Sequence, residues 1–232
     1  MEALTNDPFA TKGIEYLVCL AFLGSLPVYW RHLNGAPRLA PEREYAAGRV
    51  LSGWFHLPEG ARFHPGHTWA APVAASRFRV GLDDFAQKVL GAPAAVALPS
   101  VGSRLESGGR GWSLDVGGHR FEMPAPVAGR VVARNEAALH NPALINADPY
   151  GSGWLLEVET PRWRSGLRSL LQGRRAQEWL GRAEDALRLR MSPEIGAVLQ
   201  DGGVPVSGIA RALSEEKWEE LARELLAGGE RT

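Results

Sequence analysis

The sequence predicts a mainly β chain with α additions (α+β), and three observations predict it. Ile14 to Trp30 form one apolar run, the middle of the chain alternates at period two between turn residues, and beyond Thr160-Pro161 the apolar residues recur at helical steps. The expected organisation is a tail over residues 1–12, a single transmembrane helix over 13–33, a linker over 34–53, a strand-rich domain over 54–161 and a helical extension over 162–232.

The run IEYLVCLAFLGSLPVYW would be a helix about 26 Å long, close to the thickness of a hydrocarbon core. Tyr16 at one end and Tyr29-Trp30 at the other suit the interface, and Lys12 and Arg31 can snorkel outward. Glu2 and Asp7 stand where a signal peptide carries basic residues, and no small-x-small cleavage site follows. Only Lys12 precedes the run, whereas Arg31, Arg38, Arg43 and Arg49 follow it, so the body of the chain is expected on the cytoplasmic side. Asn34 to Arg49, rich in Pro, Gly, Ala and Arg without periodicity, reads as the linker.

Composition narrows the function classes. With 26 basic and 26 acidic residues there is no global electrostatic case for nucleic acid as a partner. A single cysteine, Cys19, excludes an internal disulfide framework and a multi-cysteine metal site from this chain alone, and its apolar neighbours predict a buried, inert thiol.

In the strand-rich part, Arg77 to Leu82 alternates as a strand, and Asp83 or Asp84 caps a short helix to Leu90 that Gly91 ends. Strands are expected near Ala94 to Leu98, Arg110 to Val116 and His119 to Met123, with Gly117-Gly118 forming a two-residue turn between the last two. Pro124, Pro126 and Gly129 mark a turn before a strand over Arg130 to Arg134; a helical turn over Glu136 to Leu139, a proline-broken stretch and a strand over Trp154 to Glu159 follow. His56, His64 and His67 raise a metal hypothesis, but no cysteine or carboxylate completes a ligand spacing, so the expectation is loop histidines and no metal. His32, near the end of the apolar run, reads as an interfacial residue. Asp83-Asp84 are explained by capping, and no nucleophile with a base, phosphate loop or HExxH site is present, so no catalytic residue is assigned. Gly108-Gly109 and Gly202-Gly203 read as ordinary turns.

After Pro161, Trp163, Leu167, Leu170, Leu171, Trp179, Leu180, Ala183 and Leu187 give an apolar face, with arginines between them. That face either packs on the strand-rich domain or lies against anionic headgroups or an acidic partner. A last helix presents Trp218, Leu221, Leu225 and Leu226 on one side.

Several of these stretches also match a known family. His67-Thr68-Trp69, Val80-Gly81-Leu82-Asp83-Asp84-Phe85-Ala86-Gln87 with Leu90-Gly91, Leu98-Pro99-Ser100-Val101-Gly102, and Asn146-Ala147-Asp148-Pro149-Tyr150-Gly151 with Gly153-Trp154-Leu155 occur in order. The set resembles the H-protein of the glycine cleavage system. That resemblance implies a flattened barrel of the biotinyl/lipoyl type, with lipoamide carried on a lysine at a hairpin tip. In the family that lysine stands eight residues before the proline of a Pro-Val-x-Gly turn, here Pro126-Val127-Ala128-Gly129, and the count lands on Gly118. The chain's lysines are Lys12, Lys88 and Lys217, so the tip residues Gly117, Gly118 and His119 offer no primary amine for an amide link.

The expectation is thus a non-enzymatic, membrane-anchored accessory subunit with a degenerate lipoyl-carrier domain and no cofactor of its own. Its partners would be the bilayer and the protein subunits of a larger, possibly redox or respiratory, complex in a bacterial inner membrane. The alternative is a lipoyl group carrier of glycine-cleavage type, with Lys88 on the Asp83 to Leu90 helix as the attachment point.

Overall fold

The computed structural model describes residues 16–26, 54–161, 166–191 and 206–227. The chain divides into two compact units, Met1–Glu42 and Arg43–Thr232. Of the first, a helix over 16–26 (α1) is described, with all its residues exposed, including Cys19, which the sequence led us to expect buried. The expected transmembrane helix over 13–33 is not found: among the described residues no helix is long and apolar enough to cross a membrane. The flanks 13–15 and 27–33, the tail, most of the linker, His32, Trp163 and Gly202-Gly203 lie outside the described residues.

Among the described residues of the second unit, nine strands form two antiparallel sheets. The larger runs β1-β2-β3-β9-β8-β5, from Arg62–His64 (β1), Thr68–Ala74 (β2), Arg77–Leu82 (β3), Leu156–Glu159 (β9), Gly129–Arg134 (β8) and Arg104–Leu105 (β5). The smaller is β4-β6-β7, from Ala95–Ala97 (β4), Arg110–Val116 (β6) and His119–Pro124 (β7). The result is a mixed α+β, curled half-barrel, in keeping with the α+β class and the flattened barrel type expected of the strand-rich part. Phe78, Val80 and Leu82 of β3 and Trp112, Leu114 and Val116 of β6 alternate inward with arginines and other polar residues outward. Each such side chain contributes about 1.5–3 kcal/mol by leaving water.

Helix α2, Asp84–Leu90, starts at Asp83, whose Oδ1 accepts from the Ala86 N–H at 2.8 Å. The other carboxylate oxygen of Asp83 lies 2.9 Å from Nδ1 of His67. His67 is fully buried at φ +60, an unfavourable backbone for a non-glycine residue, held by that bond and by its ring lying against Phe85 and Trp179. Asp84 accepts from the His56 N–H, Gln87 Nε2 and Lys88 Nζ, at 2.7 to 3.0 Å. Tyr150 closes this knot: its hydroxyl donates to the His56 carbonyl and accepts from the Asp84 N–H.

Two short helices, α3 (Glu136–His140, capped by Asn135) and α4 (Leu144–Ala147), lead into β9. Helix α5, Arg174–Arg190, turns Ala176, Trp179, Leu180 and Leu187 inward, with Trp179 on Phe63 and His67. Of the two readings of this basic segment, packing on the domain describes its apolar face. Two further helices, α6 (Ile209–Leu213) and α7 (Trp218–Leu226), complete the unit.

Replacing Tyr150 by Phe leaves two buried backbone groups unpaired, and chemical denaturation should register a loss of about 1–3 kcal/mol. Burial, reinforced by Asp83, holds the Tyr150 phenol well above its ordinary pKa. A raised folded value means that the associated stability is intact below the ordinary tyrosine range and is lost as pH rises through the folded value. In an alkaline ultraviolet titration Tyr150 should resist ionisation until the unit unfolds; free titration alongside the exposed Tyr16 would contradict this.

Candidate functional site

The β6–β7 hairpin ends at Val116 paired with His119, and Gly117 and Gly118 between them take φ +59 and +82. Two successive positive φ angles define the tight hairpin turn that side chains other than glycine enter only with strain. The Gly118 N–H donates to Asp115 Oδ1 at 3.2 Å, and a Cβ at Gly118 would meet nothing within 4 Å. The expected tip is therefore formed, it faces open space at residue 118, and its turn carries no amine.

What the sequence left unseen is the surface beside the tip. Trp218, at the start of α7 and 6% exposed, meets His119 edge-on with centroids 5.3 Å apart and lies 5.6 Å from the Phe121 ring. Arg223, one turn on, donates to the Arg120 carbonyl at 2.9 Å and places its guanidinium 4.9 Å above Phe121. Glu219 accepts from Arg223 at 2.7 Å and pairs with Nδ1 of His119 at 2.5 Å. Arg211 of α6 stacks on Trp218 at 4.5 Å, and its guanidinium fills the space that a Cβ on Gly117 would need. The turn residue Gly208 donates its N–H to the Lys88 carbonyl at 2.8 Å, which fixes α6 to the end of α2. Helices α6 and α7 thus clasp one side of the hairpin.

The other sequence candidates are placed as follows. Lys88, the attachment point of the carrier alternative, donates to Asp84 at 3.0 Å and to the Trp54 carbonyl at 3.1 Å, with its ammonium 5.4 Å from the Phe55 ring. Its side chain is 16% exposed, so acylating it would break a partly buried ion pair that pins residues 54–57 onto α2. Lys217, whose backbone N–H donates to Ser214 Oγ at 3.2 Å, is exposed just before α7. His64 Nδ1 accepts from the Gly66 N–H, while His56 and His67 belong to the α2 knot. Among the described residues no group of three or more His, Cys, Asp or Glu could hold a metal ion.

The apolar face of Trp218 and Leu225 was legible in sequence, but its destination on β7 lies about a hundred positions away and no local pattern encodes it. Gly117→Ala should dislodge Arg211 and shift the Trp218 indole signal in an NMR spectrum. Gly118→Ala, with the same strain and open space around it, should leave that signal in place. The Arg223 hydrogen bond, with help from His119, holds the Glu219 carboxyl below its ordinary pKa. A lowered folded value means that this contribution is present above the ordinary carboxylate range and fades as pH falls through the folded value. Acid titration followed by the same indole signal should show α7 loosening only in that acidic window.

Comparison with known proteins bears on this geometry. The family model described as "Glycine cleavage H-protein" matches residues 61–182, a segment that ends before α6 and α7 begin. A probable glycine cleavage system H protein of Natronomonas pharaonis is 43% identical over 105 residues, 45% of this chain and 82% of that protein. The glycine cleavage system H protein of Mycolicibacterium vanbaalenii is 37% identical over 117 residues, 50% of this chain and 89% of that one. A crystal structure of the H protein from Mycobacterium marinum has 31% sequence identity and a TM-score of 0.48, covering 54% of this chain and 99% of its own. With the family segment spanning both sheets, the hairpin and helix α2, the chain belongs to the glycine cleavage H-protein family and is a non-enzymatic member of it.

Proposed function

We propose that the chain is a non-catalytic docking subunit in which an H-protein-like domain has exchanged its cargo site for an intramolecular contact. One observation carries this reading: the hairpin turn is Gly117-Gly118, and the surface beside it is clasped by α6 and α7. Amide attachment of an acyl arm requires a primary amine, and neither glycine, His119 nor Arg120 has one. The partners of such a subunit would be membrane proteins of a larger redox complex. The exposed apolar side chains of α1, among them Leu17, Leu20, Phe22 and Leu23, support an anchoring role for the N-terminal unit, in a bilayer or against a partner's membrane helices. By the distribution of basic residues around it, the domain would lie on the cytoplasmic side of a bacterial inner membrane.

A second reading, a lipoyl group carrier, is favoured by the names of the relatives, which are glycine cleavage system H proteins. It needs an amine other than one at the tip. Lys88 is committed to Asp84 and Trp54, which leaves Lys217 or Lys12 for that role.

Intact-mass spectrometry of the chain purified in mild detergent from its own membranes separates the two. The docking reading predicts the unmodified mass together with stoichiometric membrane subunits. A mass raised by one lipoyl group and abolished by Lys217→Arg, Lys88→Arg or Lys12→Arg would establish the carrier instead.

A further inference from the structure

A pocket of about 360 Å³ opens between the hairpin end, the C-terminus of α2 and helix α6, within the roughly 300–1,000 Å³ range of small-molecule sites. It exists because α6 approaches α2 closely: a Cβ on Gly91 would come within 3.1 Å of the Gly208 Cα. Its apolar floor is made by Leu90 and Val116, 3% and 4% exposed. Two charged side chains complete the lining, Arg211 and Glu215.

These two stand four residues apart yet do not pair with each other. Helix α6 ends at Leu213, and Ser214 is extended at φ −156, which carries Glu215 off the helical path. Among the described residues neither has an ion-pair partner, and the Arg211 guanidinium is held in place by stacking on Trp218. One fixed cation, one separate anion and an apolar floor are the complement of a zwitterion with an aliphatic side chain. A ligand carboxylate can accept two hydrogen bonds from the Arg211 fork, its ammonium can donate to Glu215, and its side chain can cover Leu90 and Val116. A simple carboxylate would face repulsion from Glu215, and a simple amine repulsion from Arg211, so the charge arrangement discriminates as well as attracts.

We infer that this pocket binds a free aliphatic α-amino acid, a function beyond the docking reading and independent of it. The pocket is open to solvent, so the expected affinity is on the order of 1 mM, a binding free energy of about −4 kcal/mol.

The test is saturation-transfer NMR on the full chain in detergent, with L-valine as probe and two analogues of the same shape, isovalerate without the ammonium and isobutylamine without the carboxylate. Saturable valine binding at least tenfold tighter than either analogue, and weakened tenfold or more by Arg211→Met and by Glu215→Gln, is the expected result. Glu216→Gln, outside the lining, should bind valine as the unaltered chain does and serves as the control for folding. Isovalerate equal to valine would make the site a plain anion site and overturn the proposal. So would non-saturable valine signals, or undiminished binding in both lining variants.

Discussion

The buried polar knot at the start of α2 holds the rest of the domain in place. Asp83 and Asp84 are 1% and 7% exposed, and a carboxylate buried without partners is expensive, so each must be bonded on several sides. Asp83 caps the helix and fixes His67 in its strained conformation; Asp84 gathers the His56 backbone, Gln87 and Lys88; Tyr150 ties the Asp84 and His56 backbone to the turn before β9. The same helix ends with the Lys88 carbonyl receiving the Gly208 N–H, so the position of α6 depends on the knot at the opposite end of α2. A polar network of this kind specifies one arrangement because every alternative leaves a buried charge unpaired.

From that anchoring follows the character of the hairpin. A carrier tip has to project an arm freely, whereas here the strand leading away from the turn is held by aromatic, cation–π and backbone contacts from α7. Individually, the exposed ion pairs in this contact are worth little, being screened by solvent. The burial of Trp218 and the Arg223 bond to a backbone carbonyl give the clasp its hold. The helices that supply these contacts lie beyond the segment matched by the family model, so the clasp is an addition to the shared domain.

Much of the shared domain was legible in the sequence because its signals are local. Asp83 before Asp84–Leu90 and the Gly117-Gly118 turn each match a residue type to a specific backbone need, and each falls where the chain predicted it; the helical turn from Glu136 was also foreseen, but not its cap, Asn135. The strands over Arg77–Leu82 and Arg110–Val116 followed from alternation. The small elements β1, β5 and α4 escaped notice, being two to four residues long and fixed by neighbours more than by propensity, and so did the seven-residue β2, which buries four residues in succession instead of alternating. The transmembrane reading of 13–33 rested on hydropathy with aromatic and basic flanks, and much of that stretch, 13–15 and 27–33, lies outside the described residues. The clasp and the pocket beside it were illegible for another reason: Trp218 reads only as part of a helix face, and nothing in the sequence singles out Arg211 or Arg223 until the fold brings them to the hairpin.

The most direct test of this account is whether α7 sits on the hairpin in solution. Nuclear Overhauser contacts between the Trp218 indole and the rings of His119 and Phe121 in the full chain are the result the account predicts. Their absence, with a Trp218 signal characteristic of a solvent-exposed indole, would contradict it and return the hairpin to the free, projecting form of a carrier.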